Sequence, residues 1–273
     1  MSIKIHVFCI GEMAIPTKAI FNNLGKIIPR NVKINGITDI EWSDGSLSEG
    51  IKHPGCIYYI EGAEKKILID TGIENFELIK KIRKRKGDCF YLKEKSEWRV
   101  EEQLNKIGVS VDDIDIVINT HLHWDHVGGN SLFKNAIYYI QKDEIPLALT
   151  APNYAPHYFK ENKQCIVDIA DRIVFLEGDK EIVKGVRVRK TGGHTPGSQV
   201  VFIDTNIGRV AITGDVIPKY ENWYYGWPGP AGNIWNLDEL VNAYSIIQNN
   251  AEIIVPGHDW KVWDIYPEGI IGD

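Results

Sequence analysis

From Thr120 to Asn130 the chain reads Thr-His-Leu-His-Trp-Asp-His-Val-Gly-Gly-Asn. His121, His123, Asp125 and His126 thus crowd three imidazoles and a carboxylate into one loop. Neutral imidazole and carboxylate are donors that suit zinc, and also iron or manganese. His121 and His123 point the same way if the backbone stays extended. Asp125 and His126, past the turn, can reach a second position nearby. This is more ligand than one four-coordinate ion takes from one loop, so two metals are expected. A lone histidine at a strand end is usually a satisfied core or surface residue. Burying several imidazoles with a carboxylate and no cation carries a desolvation cost, which favours the metal reading of this cluster.

Three later segments offer further donors. His194 sits in Gly192-Gly193-His194-Thr195-Pro196-Gly197, Asp215 ends Thr213-Gly214-Asp215, and His258 follows Val255-Pro256-Gly257. Each alone is ordinary turn chemistry. Together they repeat one arrangement, an apolar strand followed by glycine and a donor. The remaining histidines lack such company: His6 and His157 read as ordinary, and His53, before Pro54-Gly55, reads as outside the cleft. No serine stands in a Gly-x-Ser-x-Gly elbow, so a hydroxyl nucleophile of that type has no support.

Strands must deliver these residues. Apolar or alternating runs predict strands at Ile3 to Ile10, Gly55 to Glu61 and Lys66 to Asp70, the last two as a hairpin. Further strands are expected at Ile114 to Asn119, Asn135 to Gln141, Arg172 to Leu176, Val186 to Lys190, Ser198 to Asp204 and Arg209 to Thr213. Helical spacing marks Phe76 to Arg85, Val100 to Ile107 and Leu237 to Gln248. Asn236 and Glu239 fit a capping box for the last of these. Strands outnumber helices, yet helices interrupt them in both halves, which predicts sheets covered outside by helices in a layered α/β (α+β) arrangement. No linker divides the chain, so one domain over residues 1–273 is expected. Lys18 to Pro54 and Tyr220 to Trp235 read as long ordered loops, often functional in a compact domain. The aromatics Trp223 to Pro228 are either a packed loop core or a substrate-facing wall that suits an acyl chain.

With 273 residues, 31 basic and 37 acidic side chains, the chain carries a net charge of −6. That balance argues against a nucleic-acid binder. The basic run Lys80 to Lys86 reads as the solvated face of a helix. Cys9, Cys56, Cys89 and Cys165 form no metal spacing, and free, mostly buried thiols are expected. The N-terminus alternates like a strand and lacks the long apolar stretch of a signal peptide. No window approaches a membrane span, so a cytoplasmic protein is expected.

The motif His-x-His-x-Asp-His, followed by distant His194, Asp215 and His258, resembles the metallo-β-lactamase superfamily from Asp70 onward. The resemblance implies a four-layer αβ/βα sandwich with metals at one edge of two sheets. Carried over, His121, His123 and His194 would hold the first ion, and Asp125, His126 and His258 the second. Asp215 would bridge both, and Asp70 would orient a ligand histidine from behind. Within the superfamily the chain looks most like the N-acyl homoserine lactonases, the quorum-quenching hydrolases. The features are Leu68-Ile69-Asp70-Thr71-Gly72, the 120–130 loop, Leu176 to Asp179 and the tail from Gly257 to Glu268.

This implies two divalent ions, zinc first, with iron or manganese as alternatives. Hydroxide between them would attack a lactone carbonyl while Asp125 carries a proton to the leaving alkoxide. Partners expected are a small molecule with an ester-type carbonyl and an apolar chain, no nucleic acid or membrane, with a homodimer left open. The chain departs where such lactonases carry a carbonyl-polarising tyrosine three residues past the bridging aspartate. Pro218 stands there, leaving Tyr220, with Tyr224 and Tyr225 behind it, as the substitute. The Gly192-Gly193 pair also replaces the usual Pro-Gly. Alternatives are a glyoxalase II-like thioesterase, a β-lactamase or another hydrolase of this fold. Flavodiiron redox chemistry would put Glu where His123 stands. A metal-free binding module would not keep every ligand position.

Overall fold

The structure is a computed structural model that describes residues 2–16, 37–229 and 234–272. The strands are β1 (Lys4–Pro16), β2 (Ile37–Glu41), β3 (Leu47–Glu61), β4 (Ile67–Ile69), β5 (Tyr91–Lys93), β6 (Ile116–Ile118), β7 (Ile137–Gln141), β8 (Ile173–Leu176), β9 (Lys180–Val183), β10 (Val186–Lys190), β11 (Gln199–Thr205), β12 (Gly208–Ile212), β13 (Ile253–Val255) and β14 (Ile270–Ile271). The helices are α1 (Phe76–Lys86), α2 (Val100–Lys106), α3 (Trp124–Val127), α4 (Ile145–Thr150), α5 (Lys163–Val167), α6 (Tyr220–Tyr225), α7 (Leu237–Asn250) and α8 (Lys261–Ile265).

Among the described residues the strands form two sheets. The first runs β14-β1-β3-β4-β6-β7-β8, with β2 added on β3 and β5 on β1. The second runs β13-β12-β11-β10-β9. In the first sheet β4, β6, β7 and β8 pair in parallel. The short apolar runs of β4 and β6, Ile67-Leu68-Ile69 and Ile116-Val117-Ile118, are buried on both faces, as parallel strands between layers must be. One face meets the second sheet: Val7, Tyr58, Ile69 and Ile118 pack in one cluster with Val188, Val201 and Ile212. The other face is covered by Phe76, Ile79 and Ile82 of α1 and by Val100 and Leu104 of α2. Leu240, Ala243 and Ile247 of α7 join the cluster of the second sheet. The order of layers is therefore helix, sheet, sheet, helix, the four-layer sandwich that the resemblance implied.

The hairpin expected over 55–70 is β3 paired antiparallel with β4. The segment Lys18 to Pro54 is not one loop. Residues 17–36 lie outside the described residues, but 37–41 form β2, and Leu47 begins a strand that runs without a break to Glu61. Its partner is the long β1, which it follows from Lys4↔Glu61 to Pro16↔Gly50 with a register shift between Cys9 and Gly11. Glycines and charges hid this strand, because pairing with a long neighbour supplies what local propensity lacks. Tyr220 to Trp235 is likewise not all loop. Residues 220–225 are α6, closed by Gly226 in the left-handed conformation, and residues 230–233 lie outside the described residues.

The basic run does end a helix, and Arg83 to Lys86 occupy its last turn, where cations meet the negative end of the helix dipole. All four cysteines are free, but Cys89 is exposed and Cys165 half-buried. Among the described residues no helix is long and apolar enough to cross a membrane.

Candidate metal centre

The donors arrive from both sheets at the strand ends. β6 ends two residues before Thr120, and the loop beyond it carries His121, His123, Asp125 and His126. His194 lies in the turn between β10 and β11, Asp215 in a helical turn after β12, and His258 after β13. They meet in two groups: His121, His123, His194 and Asp215, and beside them Asp125, His126 and His258. Within each, the donor atoms lie within 4.8 Å of one another.

Asp215 joins the groups through its two oxygens. Oδ2 is 3.2 Å from His194 Nε2 and 3.9 Å from His121 Nε2. Oδ1 is 2.8 Å from His258 Nε2 and 3.2 Å from His126 Nε2. His123 Nδ1 stands 3.0 Å from His121 Nε2 and 3.1 Å from His194 Nε2. Asp125 Oδ2 is 3.8 Å from His258 Nε2 and 3.9 Å from His126 Nε2. Such edges fit donors placed about 2 Å from a shared centre.

The rings are aimed from behind. Asp70 sits just past β4 in the left-handed region (φ 56°). Its Oδ1 accepts from Thr120 N, and its Oδ2 accepts from Thr120 Oγ1 and His126 Nδ1, each at 2.7 Å. With its proton spent on Asp70, the Thr120 hydroxyl accepts from His121 Nδ1 at 3.1 Å. His258 Nδ1 donates to Pro54 O at 2.8 Å. In all three rings Nδ1–H is committed, which fixes the tautomer and leaves the Nε2 lone pair facing inward. Gly128 and Gly129 admit the loop against the 71–72 backbone: a Cβ on either would stand 2.7 Å or less from a carbonyl oxygen of Gly72 or Thr71.

Charges respond to this crowding. Burial drives His121 and His123 well below the ordinary histidine range and brings His194 to about 4. For His126 burial acts the same way but is outweighed by Asp70, Asp215 and Asp125, so its pKa is raised. Burial is also overcome at Asp215, where His258, His126 and His194 hold the carboxyl well below its usual range. Among the described residues His126 Nε2 and Asp215 Oδ1 are buried without a hydrogen bond. Nitrogen lone pairs facing one another around an unpaired carboxylate oxygen are what a cation would satisfy, and N/O donors suit zinc, iron or manganese. The residues fit the group that the resemblance implies.

Sequence reasoning missed Glu144. Its buried carboxylate accepts from Leu122 N and Tyr158 OH through Oε2 and from Gly197 N through Oε1, each at 2.8 Å. It thereby ties the His121–His123 loop to the His194 turn. Its only signal was a carboxylate three residues past a strand end, next to Asp143. A Glu144→Ala variant should lose roughly 3–5 kcal/mol, because three buried donors lose their acceptor. Metal affinity should fall about 10–100-fold. Denaturant titration and chelator competition measure the two effects.

The capping box is also rearranged. Asn236 Oδ1 accepts from Asp238 N and Glu239 N as expected. Glu239, however, turns away and accepts from Gly193 N at 3.0 Å, while Asn236 N donates to Gly193 O at 2.9 Å. The start of α7 therefore holds the His194 turn, and a Cβ at Gly193 would stand 2.6 Å from Leu240 Cα.

A cavity of about 120 Å³ opens beside the cluster, with His123, Asp125, Asp215 and His258 in its wall. Met13, Ala14, Ile15, Phe90, Leu92, Trp124 and Pro218 make it largely apolar. His53 and His157, read from sequence as uninvolved, also line it. His6 instead pairs with Glu61 at 2.7 Å. Tyr220 is not brought to the site: its hydroxyl donates to Ile254 O at 3.2 Å inside the core. Tyr224 and Tyr225 are exposed, and Trp223, Tyr224 and Pro228 border a separate surface hollow rather than this cavity. The helical turn of α6 carries these rings away from the site, which a loop reading could not show.

A family model described as the metallo-beta-lactamase superfamily matches residues 52–258. An N-acyl homoserine lactonase of Bacillus thuringiensis is 31% identical over 230 residues, covering 80% of this chain and 87% of that protein. A solved N-acyl homoserine lactone hydrolase, with the product N-hexanoyl-L-homoserine bound at its catalytic metal centre, aligns at a TM-score of 0.73 and 25% identity. That alignment covers 97% of both chains. A probable metal-dependent hydrolase from Staphylococcus aureus has the same fold, at a TM-score of 0.76 and 23% identity over 94% of this chain and 90% of that one.

Proposed function

Because the chain belongs to the metallo-beta-lactamase superfamily, we propose that it is a dinuclear zinc enzyme that opens the ring of N-acyl homoserine lactones. Membership and the likeness to lactonases make it a metal-dependent hydrolase acting on ester bonds. The observation that carries the proposal is Asp215, whose two oxygens each face imidazole nitrogens at the floor of an apolar cavity.

On this reading His121, His123 and His194 would hold one ion and Asp125, His126 and His258 the other, with Asp215 within reach of both groups. Two divalent ions held there act as Lewis acids, polarising a carbonyl and making a water acidic near neutral pH. Asp70 and the Pro54 carbonyl keep His126 and His258 aimed inward. Asp125 is the more open of the two carboxylates, with 13% of its side chain exposed against 8% for Asp215. It faces the cavity, where its carboxylate can take the proton released by the attacking water and hand it to the departing alkoxide. The apolar wall from Met13 to Ile15, with Phe90, Leu92 and Trp124, seats an acyl chain and keeps water out.

Turnover of N-hexanoyl-L-homoserine lactone, a thioester and a β-lactam by protein of known metal content tests the assignment. Lactone hydrolysis that scales with zinc, exceeding the other two by about a hundredfold or more, is the expected result. Thioester hydrolysis above lactone hydrolysis would overturn it.

A further inference from the structure

His53 and Asn222 line the cavity and carry buried hydrogen-bonding atoms that nothing among the described residues uses. His53 lies on β3 next to Pro54, is 8% exposed, and its ring centroid is 5.0 Å from that of His258. Neither of its ring nitrogens makes a hydrogen bond. A neutral imidazole offers one N–H and one lone pair. Asn222, on α6 and 1% exposed, donates through Nδ2 to Trp227 O at 2.9 Å. That bond fixes which amide atom is nitrogen, and Oδ1 is left buried with no donor. Both side chains line the cavity that holds Asp125 and Asp215.

Buried polar groups are nearly always paired, and an exception calls for a functional reason. Here two such exceptions, His53 and Asn222, share the wall of one cavity with Arg83 Nε and with Asp215 Oδ1 of the candidate metal centre. One can donate, and the other can only accept. An ester, lactone or thioester offers acceptors alone and would leave Asn222 Oδ1 unmet. An amide offers both an acceptor and a donor, and a trans amide points them in opposite directions. The two partners also come from the two halves of the sandwich, His53 from the first sheet and Asn222 from the helix that follows β12 of the second.

We propose that His53 and Asn222 form the subsite that holds an amide of the substrate, His53 donating to its oxygen and Asn222 Oδ1 accepting from its N–H. The assignment rests on the lactonase reading for where the reacting carbonyl sits. It deepens that reading by naming the residues that select an amide-bearing lactone over a plain one.

Calorimetry on the zinc-loaded protein tests it with two open-chain probes. One is N-hexanoyl-L-homoserine. The other is 2-heptyl-4-hydroxybutanoate, in which two methylenes replace the amide. The wild-type protein should bind the first about tenfold more tightly, since a site built for a hydrogen bond rejects a ligand that lacks it. His53→Phe and Asn222→Leu should each bring that ratio close to unity with zinc content unchanged. His53→Gln, which keeps a donor and an acceptor, should keep most of it. Asn222→Leu lies outside the sheets and carries the test if His53→Phe does not fold. A wild-type ratio below about threefold, or a full ratio persisting in both variants, overturns the subsite. Failure of zinc-loaded wild type to hydrolyse N-hexanoyl-L-homoserine lactone would sink the lactonase reading instead, and the binding ratio would still judge the subsite.

Discussion

An Asp215→Ala variant should fold and lose at least about a thousandfold in kcat/KM on a lactone. Partners that merely stand behind a metal ligand cost about 10–100-fold when removed, and Asp215 does more than such a partner. It is the one side chain with an oxygen turned to each group of nitrogens, at 3.2 Å from His194 and 2.8 Å from His258. Without it five imidazoles are left with Asp125 as the one carboxylate in the cluster, and no anion stands among His121, His123 and His194. Ions held by the remaining donors would be fewer, and their mutual repulsion would be uncompensated. His123→Ala should act in the same direction, because His123 Nδ1 closes the group of His121 and His194. Neither side chain belongs to the apolar clusters that hold the sheets together, so the far-ultraviolet spectrum should be unchanged. Turnover and metal content, measured on the same sample, check the claim. Activity within about tenfold of wild type at full metal occupancy would refute it.

Stripping the metal should have the second large effect, and on stability rather than rate. Ions that bind only the folded form stabilise it by about 4 kcal/mol each at a thousand times Kd. For a chain of this size that corresponds to a melting temperature lower by on the order of 15 °C or more after chelation. Calorimetric melts with and without a chelator give the number, and zinc returned in excess should restore it. Acid should act in the same direction. Burial holds His121, His123 and His194 neutral in the folded protein, His194 down to about 4. The unfolded chain protonates them near the ordinary value, so their stabilisation is complete above about 6.5 and lost as pH falls below it, for His194 down to about 4. His126 and His258 have raised values, and in the stripped protein they work in the opposite sense, losing their stabilisation as pH rises. In the loaded protein every one of the five rings must be deprotonated to bind. The melting advantage of loaded over stripped protein should therefore shrink between pH 7 and 5. An advantage that is flat over that range would count against the ligand assignment.

The donors themselves were legible in the sequence because chemistry of this kind needs unusual residues at close spacing. His121 to His126 crowd one loop, and His194, Asp215 and His258 each follow an apolar strand and a glycine. The layers were legible too, since β6, β11 and β12 are short apolar runs that can only be buried. What stayed hidden depends on contacts between distant segments. Nothing local to Glu144 announces that it will join Leu122 to Gly197. Glu239 fits a capping box by its spacing, yet the nearer demand is the Gly193 amide. Tyr220 is close to Asp215 in the chain, but one helical turn sends its hydroxyl to Ile254. His53 looked idle because its strand could not be recognised without its partner β1.

The donors that converge on Asp215 come from both sheets, four from the loop after β6 and the rest from the ends of β10, β12 and β13. The ions would then act as a rivet through two plates. A cell short of the cation would lose more than turnover: the seam between the plates would slacken first at that edge, and proteases would find the enzyme there. Supply of a trace element would thus set how long each copy survives as well as how fast it works.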